Sequence, residues 1–109
     1  MQRMGMVIKL EADKIAEYKD LHAEVWPGVL EMISACNIRN YSIYLKEPEN
    51  LLFGYWEYHG TDFDADAAKM AADPETQRWW DVCMPCQIPF ETRKEGEWWA
   101  MMDEVFHLD

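Results

Sequence analysis

Two neighbouring stretches in the middle of the chain have no side suited to water. Residues 40–45 carry Tyr41, Ile43 and Leu45 on one face and Tyr44 on the other, and over residues 51–58 Leu51, Phe53 and Tyr55 alternate with Leu52, Trp56 and Tyr58. Strand side chains point alternately to opposite faces, so a sheet built on these segments is apolar on both. Glu47-Pro48-Glu49-Asn50 between them is rich in turn formers and makes the pair a hairpin. Any fold adopted by this chain has to cover both faces of that hairpin.

The remaining elements supply one cover. Met4, Met6, Ile8 and Leu10 alternate with Gly5, Val7 and Lys9 as a first strand, followed by Asp13 as a cap for a helix. Pro27 kinks that helix or breaks and restarts it, because proline lacks the N–H and disfavours helical geometry at Trp26. Phe63, Ala67 and Met70 mark a short helix, and Asp73-Pro74 starts another that carries Trp79 and Trp80 and stops near Pro85. Residues 86–96 have no clear period, and Val105-Phe106-His107-Leu108 reads as a last strand. The order predicts an α+β, ferredoxin-like βαββαβ sandwich in one domain over residues 1–109. Its helices cover one sheet face, and a second copy of the chain is the simplest cover for the other, which predicts a homodimer.

Charge and cysteine content narrow the function. With 21 acidic and 10 basic residues the net charge is −11, which repels phosphate backbones and anionic membranes, so nucleic acid and membrane are not expected partners. The first residues lack an apolar export segment and no run approaches a membrane span. Three cysteines, an odd number, argue against a disulfide framework, and the chain reads as cytoplasmic.

One helix carries the chemistry. Tyr18, His22 and Trp26 recur every four residues, within an apolar stripe of Ile15, Tyr18, His22, Val25, Val29, Ile33 and Cys36. His22 therefore faces inward between two aromatic rings, either as a core histidine satisfied by one hydrogen bond or as an acid-base group in a pocket wall.

"HAEVWP" from His22, "NYSIYL" from Asn40, "NLLF" from Asn50, "QRWW" from Gln77 and the ending "EVFHLD" occur in order along nearly the whole chain. Together they resemble the L-rhamnose mutarotase family. That resemblance implies a dimeric α+β barrel that interconverts the α and β anomers of a deoxyhexopyranose. It further implies that His22 is the proton donor, and that Tyr18, Tyr41, Trp79 and Trp80 bind the sugar. Where bacterial rhamnose enzymes carry an "NPDNSP"-like loop, this chain has residues 86–93, CQIPFETR, and then a tryptophan-rich stretch. The substrate that the resemblance implies is accordingly L-rhamnose or a related 6-deoxy-L-hexose, L-fucose included.

Mutarotation needs an acid and a base, and no cofactor or metal. An imidazole near its ordinary pKa suits neutral pH, whereas a phenol near 10 is a poor base, so Tyr18 reads as a binding residue. Tryptophan faces suit the C–H-rich side of a pyranose, and since adjacent helix positions do not share a face, one of Trp79 and Trp80 should line the wall and the other the core. Glu104 stands as an unassigned candidate base. Cys83-Met84-Pro85-Cys86 is a C-x-x-C, but its first cysteine falls at a helix end, where the dipole disfavours a thiolate. His59 and His107 make no evident metal cluster. Two other readings fit the sequence: a cofactor-independent monooxygenase on the same barrel, and a non-enzymatic sugar-binding protein.

Overall fold

The computed structural model, residues 1–109, is built on an antiparallel sheet with β1 (Gln2–Leu10) at its centre. β3 (Leu51–Tyr58) pairs with one side of β1, from Gln2 opposite Tyr58 to Lys9 opposite Leu51, and β2 (Ile38–Lys46) pairs with β3. On the other side of β1 lie β4 (Gln87–Ile88) and β5 (Ala100–Met102). The order β2-β3-β1-β4 is that of the split βαβ sandwich expected from the sequence. The hairpin turns at Glu47–Asn50 as anticipated, with Asn50 at φ 58°, a left-handed conformation that asparagine tolerates.

Four helices, rather than two, cover one face of the sheet. A 3₁₀ turn at Ala12–Lys14 leads into α1 (Ile15–Ala23), the chain leaves helical geometry at Glu24, and α2 (Pro27–Ala35) restarts with Pro27 in its first turn. Trp26, at φ −58° and ψ 133°, has the extended geometry imposed on a residue before proline. Asp13 does not cap: it lies inside the 3₁₀ turn, and neither that turn nor α1 has a side-chain cap. α3 (Phe63–Ala71) and α4 (Pro74–Cys83) are capped, α4 by Asp73, whose carboxylate accepts from the Thr76 N–H at 3.0 Å and its hydroxyl at 2.8 Å. The inward stripe holds, with Tyr18, Val29 and Cys36 buried, and the core joins Ile8, Leu10 and Leu52 of the sheet to Tyr18, Val29 and Trp79 of the helices.

The edge beyond β1 differs from expectation. Lys9 pairs with Ile88, but Val7 pairs with Ala100 rather than with Phe90, so residues 89–99 leave the sheet between two short strands that share one edge. The last strand is Ala100–Met102, not 105–108. In the register of β5, Val105 would face Gln2, the first residue of β1, so strand-forming residues beyond it have no partner. Val105, Phe106 and Leu108 are instead 94%, 79% and 80% exposed. Glu104, opposite Arg3 in that register, accepts from its guanidinium at 2.8 and 2.9 Å.

Candidate active site

Between the covered sheet face and the helices lies a cavity of about 440 Å³, onto which Tyr18, His22, Tyr41, Trp79 and Trp80 all converge. α1 contributes Tyr18 and His22, one turn apart, with their rings stacked at 4.1 Å. α4 brings Trp79 edge-on to His22 at 5.2 Å, and Trp79 also packs edge-on against Trp26 at 5.2 Å. The expected division between the two tryptophans is blurred. Trp79, 7% exposed, belongs to the core and lines the cavity, while Trp80 lines it from a more exposed position.

Tyr41 arrives by a backbone irregularity. Arg39 pairs with Glu57 and Ser42 with Tyr55, so Asn40 and Tyr41 together oppose Trp56, a β-bulge with Asn40 at φ 50°. The bulge sets the Tyr41 ring edge-on to Trp56 at 5.0 Å. Tyr41 is 38% exposed at the rim, and desolvation of its phenol by the surrounding protein pushes it up to about 12.

The His22 imidazole is held in one orientation, its Nδ1 2.9 Å from the Tyr18 carbonyl. A carbonyl only accepts, so Nδ1 carries the proton and donates, and Nε2, which has no protein partner, presents a lone pair. Burial lowers the His22 pKa from its ordinary value, partly opposed by that hydrogen bond. The ring is therefore neutral at pH 7. Burial also raises the Tyr18 phenol well above its usual range, which keeps it a hydrogen-bond donor rather than a base.

No carboxylate, lysine or arginine lines the cavity. Glu104 is held by Arg3 elsewhere, its carboxyl lowered by that hydrogen bond, so it does not serve as a base here. Cys83 and Cys86 are free, buried thiols, and burial raises both, Cys83 to about 12, so Cys83 is a neutral piece of the cavity wall. His59 lies against Glu57 and His107 against Asp109, both apart from the cavity.

Gln87, Trp98 and Trp99 were not singled out from the sequence, yet all three line the cavity. Gln87 follows α4 at the start of β4 and is buried, donating to the Tyr18 hydroxyl at 3.1 Å and accepting from the Trp98 indole at 2.8 Å. Trp99 fits above Gly54, where a Cβ would lie 2.9 Å from Met6 Cγ and 3.4 Å from the Trp99 ring. With Trp56, five of the six tryptophans surround this one space, and that concentration is the signal by which they could have been found.

An uncharged, tryptophan-walled cavity with a neutral imidazole at its edge, in a ferredoxin-like fold, suits a neutral polar molecule with apolar faces. The L-rhamnose mutarotase family model matches residues 3–108, and the chain belongs to that family. It is 39% identical to the L-rhamnose mutarotase of Mannheimia succiniciproducens and 31% identical to that of Oceanobacillus iheyensis, each over the full length of both chains. Among solved structures, the L-rhamnose mutarotase of Formosa agariphila superposes with a TM-score of 0.79 at 21% identity, covering both chains fully. Tetracenomycin F2 cyclase from Streptomyces glaucescens, a type-II polyketide cyclase, superposes with a TM-score of 0.74 at 13% identity over 100% of this chain and 98% of its own, a likeness of fold.

Proposed function

We propose that this chain catalyses the interconversion of the α and β anomers of L-rhamnose, with His22 as the group that moves the proton. The observation that carries this reading is the orientation of His22: Nδ1–H is tied to the Tyr18 carbonyl, and Nε2 is left as an acceptor beside an uncharged cavity. Nε2 takes the proton of the anomeric hydroxyl while the bond from C1 to the ring oxygen breaks and a carbonyl forms at C1. The imidazolium then gives that proton to the ring oxygen, which is His22 acting as proton donor. The two oxygens are bonded to the same carbon, so one nitrogen reaches both in turn and no second titratable group is required. Rotation about C1–C2 and the reverse steps close the ring on the other carbonyl face. Acid-base catalysis of this kind contributes about 10² to 10⁴-fold.

Tyr18 and Tyr41 act as neutral donors to sugar oxygens, and Trp79 and Trp80 pack against the C–H face and the 6-methyl group. L-fucose, another 6-deoxy-L-hexose, is the alternative substrate, since residues 86–99, where the chain departs from the family loop, supply part of the wall. The protein works as a homodimer in which the open sheet face, where Tyr44 is 68% exposed and Phe53 and Met102 are exposed too, is covered by a second copy to complete the barrel. Three free cysteines support a reducing, cytoplasmic setting.

Saturation-transfer NMR at the anomeric protons of L-rhamnose and L-fucose tests this reading with the wild-type protein and His22→Ala. Enhanced exchange in the wild type, lost in the variant, is expected, with L-rhamnose the faster sugar. A wild-type protein that leaves both exchange rates at their buffer values contradicts it.

A further inference from the structure

Gln87 holds a fixed hydrogen-bond polarity that ends at the Tyr18 hydroxyl. An indole N–H can only donate, so the 2.8 Å contact from Trp98 obliges the Gln87 amide oxygen to face it. The amide nitrogen then faces Tyr18, and as a donor-only group it obliges the phenol oxygen, 3.1 Å away, to accept. The one hydrogen bond the protein makes to this hydroxyl is the one it accepts from Gln87, so the phenol's own proton is left for the cavity that Tyr18 lines.

We propose that Gln87 is a positioning residue, set by Trp98, that aims the Tyr18 O–H into the cavity as a donor to the sugar. Without the indole, the amide is free to rotate and present its oxygen, and the Tyr18 proton is then drawn to Gln87 instead of the substrate. Segment 89–99, which leaves the sheet between β4 and β5 and lines the cavity with Trp98 and Trp99, thereby also acts on Tyr18 through one hydrogen-bond chain. This inference rests on the reading of the cavity as a 6-deoxy-sugar site.

The test is a double-mutant cycle on L-rhamnose binding, followed by tryptophan fluorescence, with Tyr18→Phe, Gln87→Met and the double variant, and with anomeric exchange measured in parallel. Each single change is expected to weaken binding roughly tenfold, the scale of one lost hydrogen bond in a partly buried site, and the double variant to bind no worse than Tyr18→Phe. Losses that multiply in the double variant overturn the proposal, because a packing role of Gln87 is independent of the Tyr18 hydroxyl. Should Gln87→Met fail to fold, Trp98→Phe takes its place in the cycle, with the same non-additivity expected and the same multiplication overturning it. Wild-type protein that binds L-rhamnose without accelerating exchange overturns the proposed catalysis and leaves the cycle readable. Absence of any response to L-rhamnose overturns both.

Discussion

The cavity has two walls of different construction. Its helical wall, α1 and α4, carries Tyr18, His22 and Trp79 on regular elements whose other contacts form the core. Its irregular wall, Gln87 with Trp98 and Trp99, comes from a short strand and a segment that only borders that core. The helical wall holds the His22 imidazole through contacts that the fold itself needs, and the irregular wall closes the space with Trp98, Trp99 and the Gln87 amide. On the proposed reading, chemistry and stability are thus coupled on the helical side, whereas the irregular side shapes the cavity with less of the core resting on it.

The largest effect expected is on the helical wall. Trp79→Ala removes a core side chain and should lower unfolding free energy by about 3–5 kcal/mol, measured by denaturant titration, with binding lost as well. On the irregular wall, Trp99→Ala should raise KM roughly tenfold by removing an aromatic face from the cavity, while costing no more than about 2 kcal/mol because the ring is only partly buried. Equal destabilisation by the two substitutions would erase the distinction between the walls. The smallest effect belongs to Asp73→Ala, which removes the α4 cap and should cost about 1 kcal/mol in thermal or chemical unfolding, with exchange catalysis intact below the transition.

Much of the helical wall was legible in the sequence because local rules govern it. The four-residue spacing placed Tyr18 and His22 on one face, pre-proline geometry broke the helix before Pro27, and Asp73-Pro74 marked the start of α4. Asp13 looked like an equally good cap, yet the chain enters α1 through a 3₁₀ turn that includes it. The irregular wall was not legible, since Gln87 and Trp98 meet only because residues 89–99 leave the edge of β1 and return to it. Residues 105–108 have strand-forming side chains, but in the register of β5 those beyond Val105 run past β1, a non-local fact that local propensity does not contain. The bulge that aims Tyr41 is likewise a matter of register between β2 and β3.

The pH dependence of anomeric exchange tests the central claim about His22 most directly. Burial lowers its folded pKa below the ordinary 6.5, so the neutral, proton-accepting form persists as pH falls through 6.5 and is lost only at the lowered value. The same shift makes the unfolded chain bind more protons than the folded one between the two values. Its contribution to stability is therefore full above about 6.5 and declines as pH falls toward the folded value. The account predicts a single acid limb in kcat/KM of L-rhamnose exchange with its midpoint below 6.5, and its disappearance, with most of the rate, in His22→Asn. An acid limb at or above 6.5 in the wild type, or one that survives in His22→Asn with the rate retained, would contradict it.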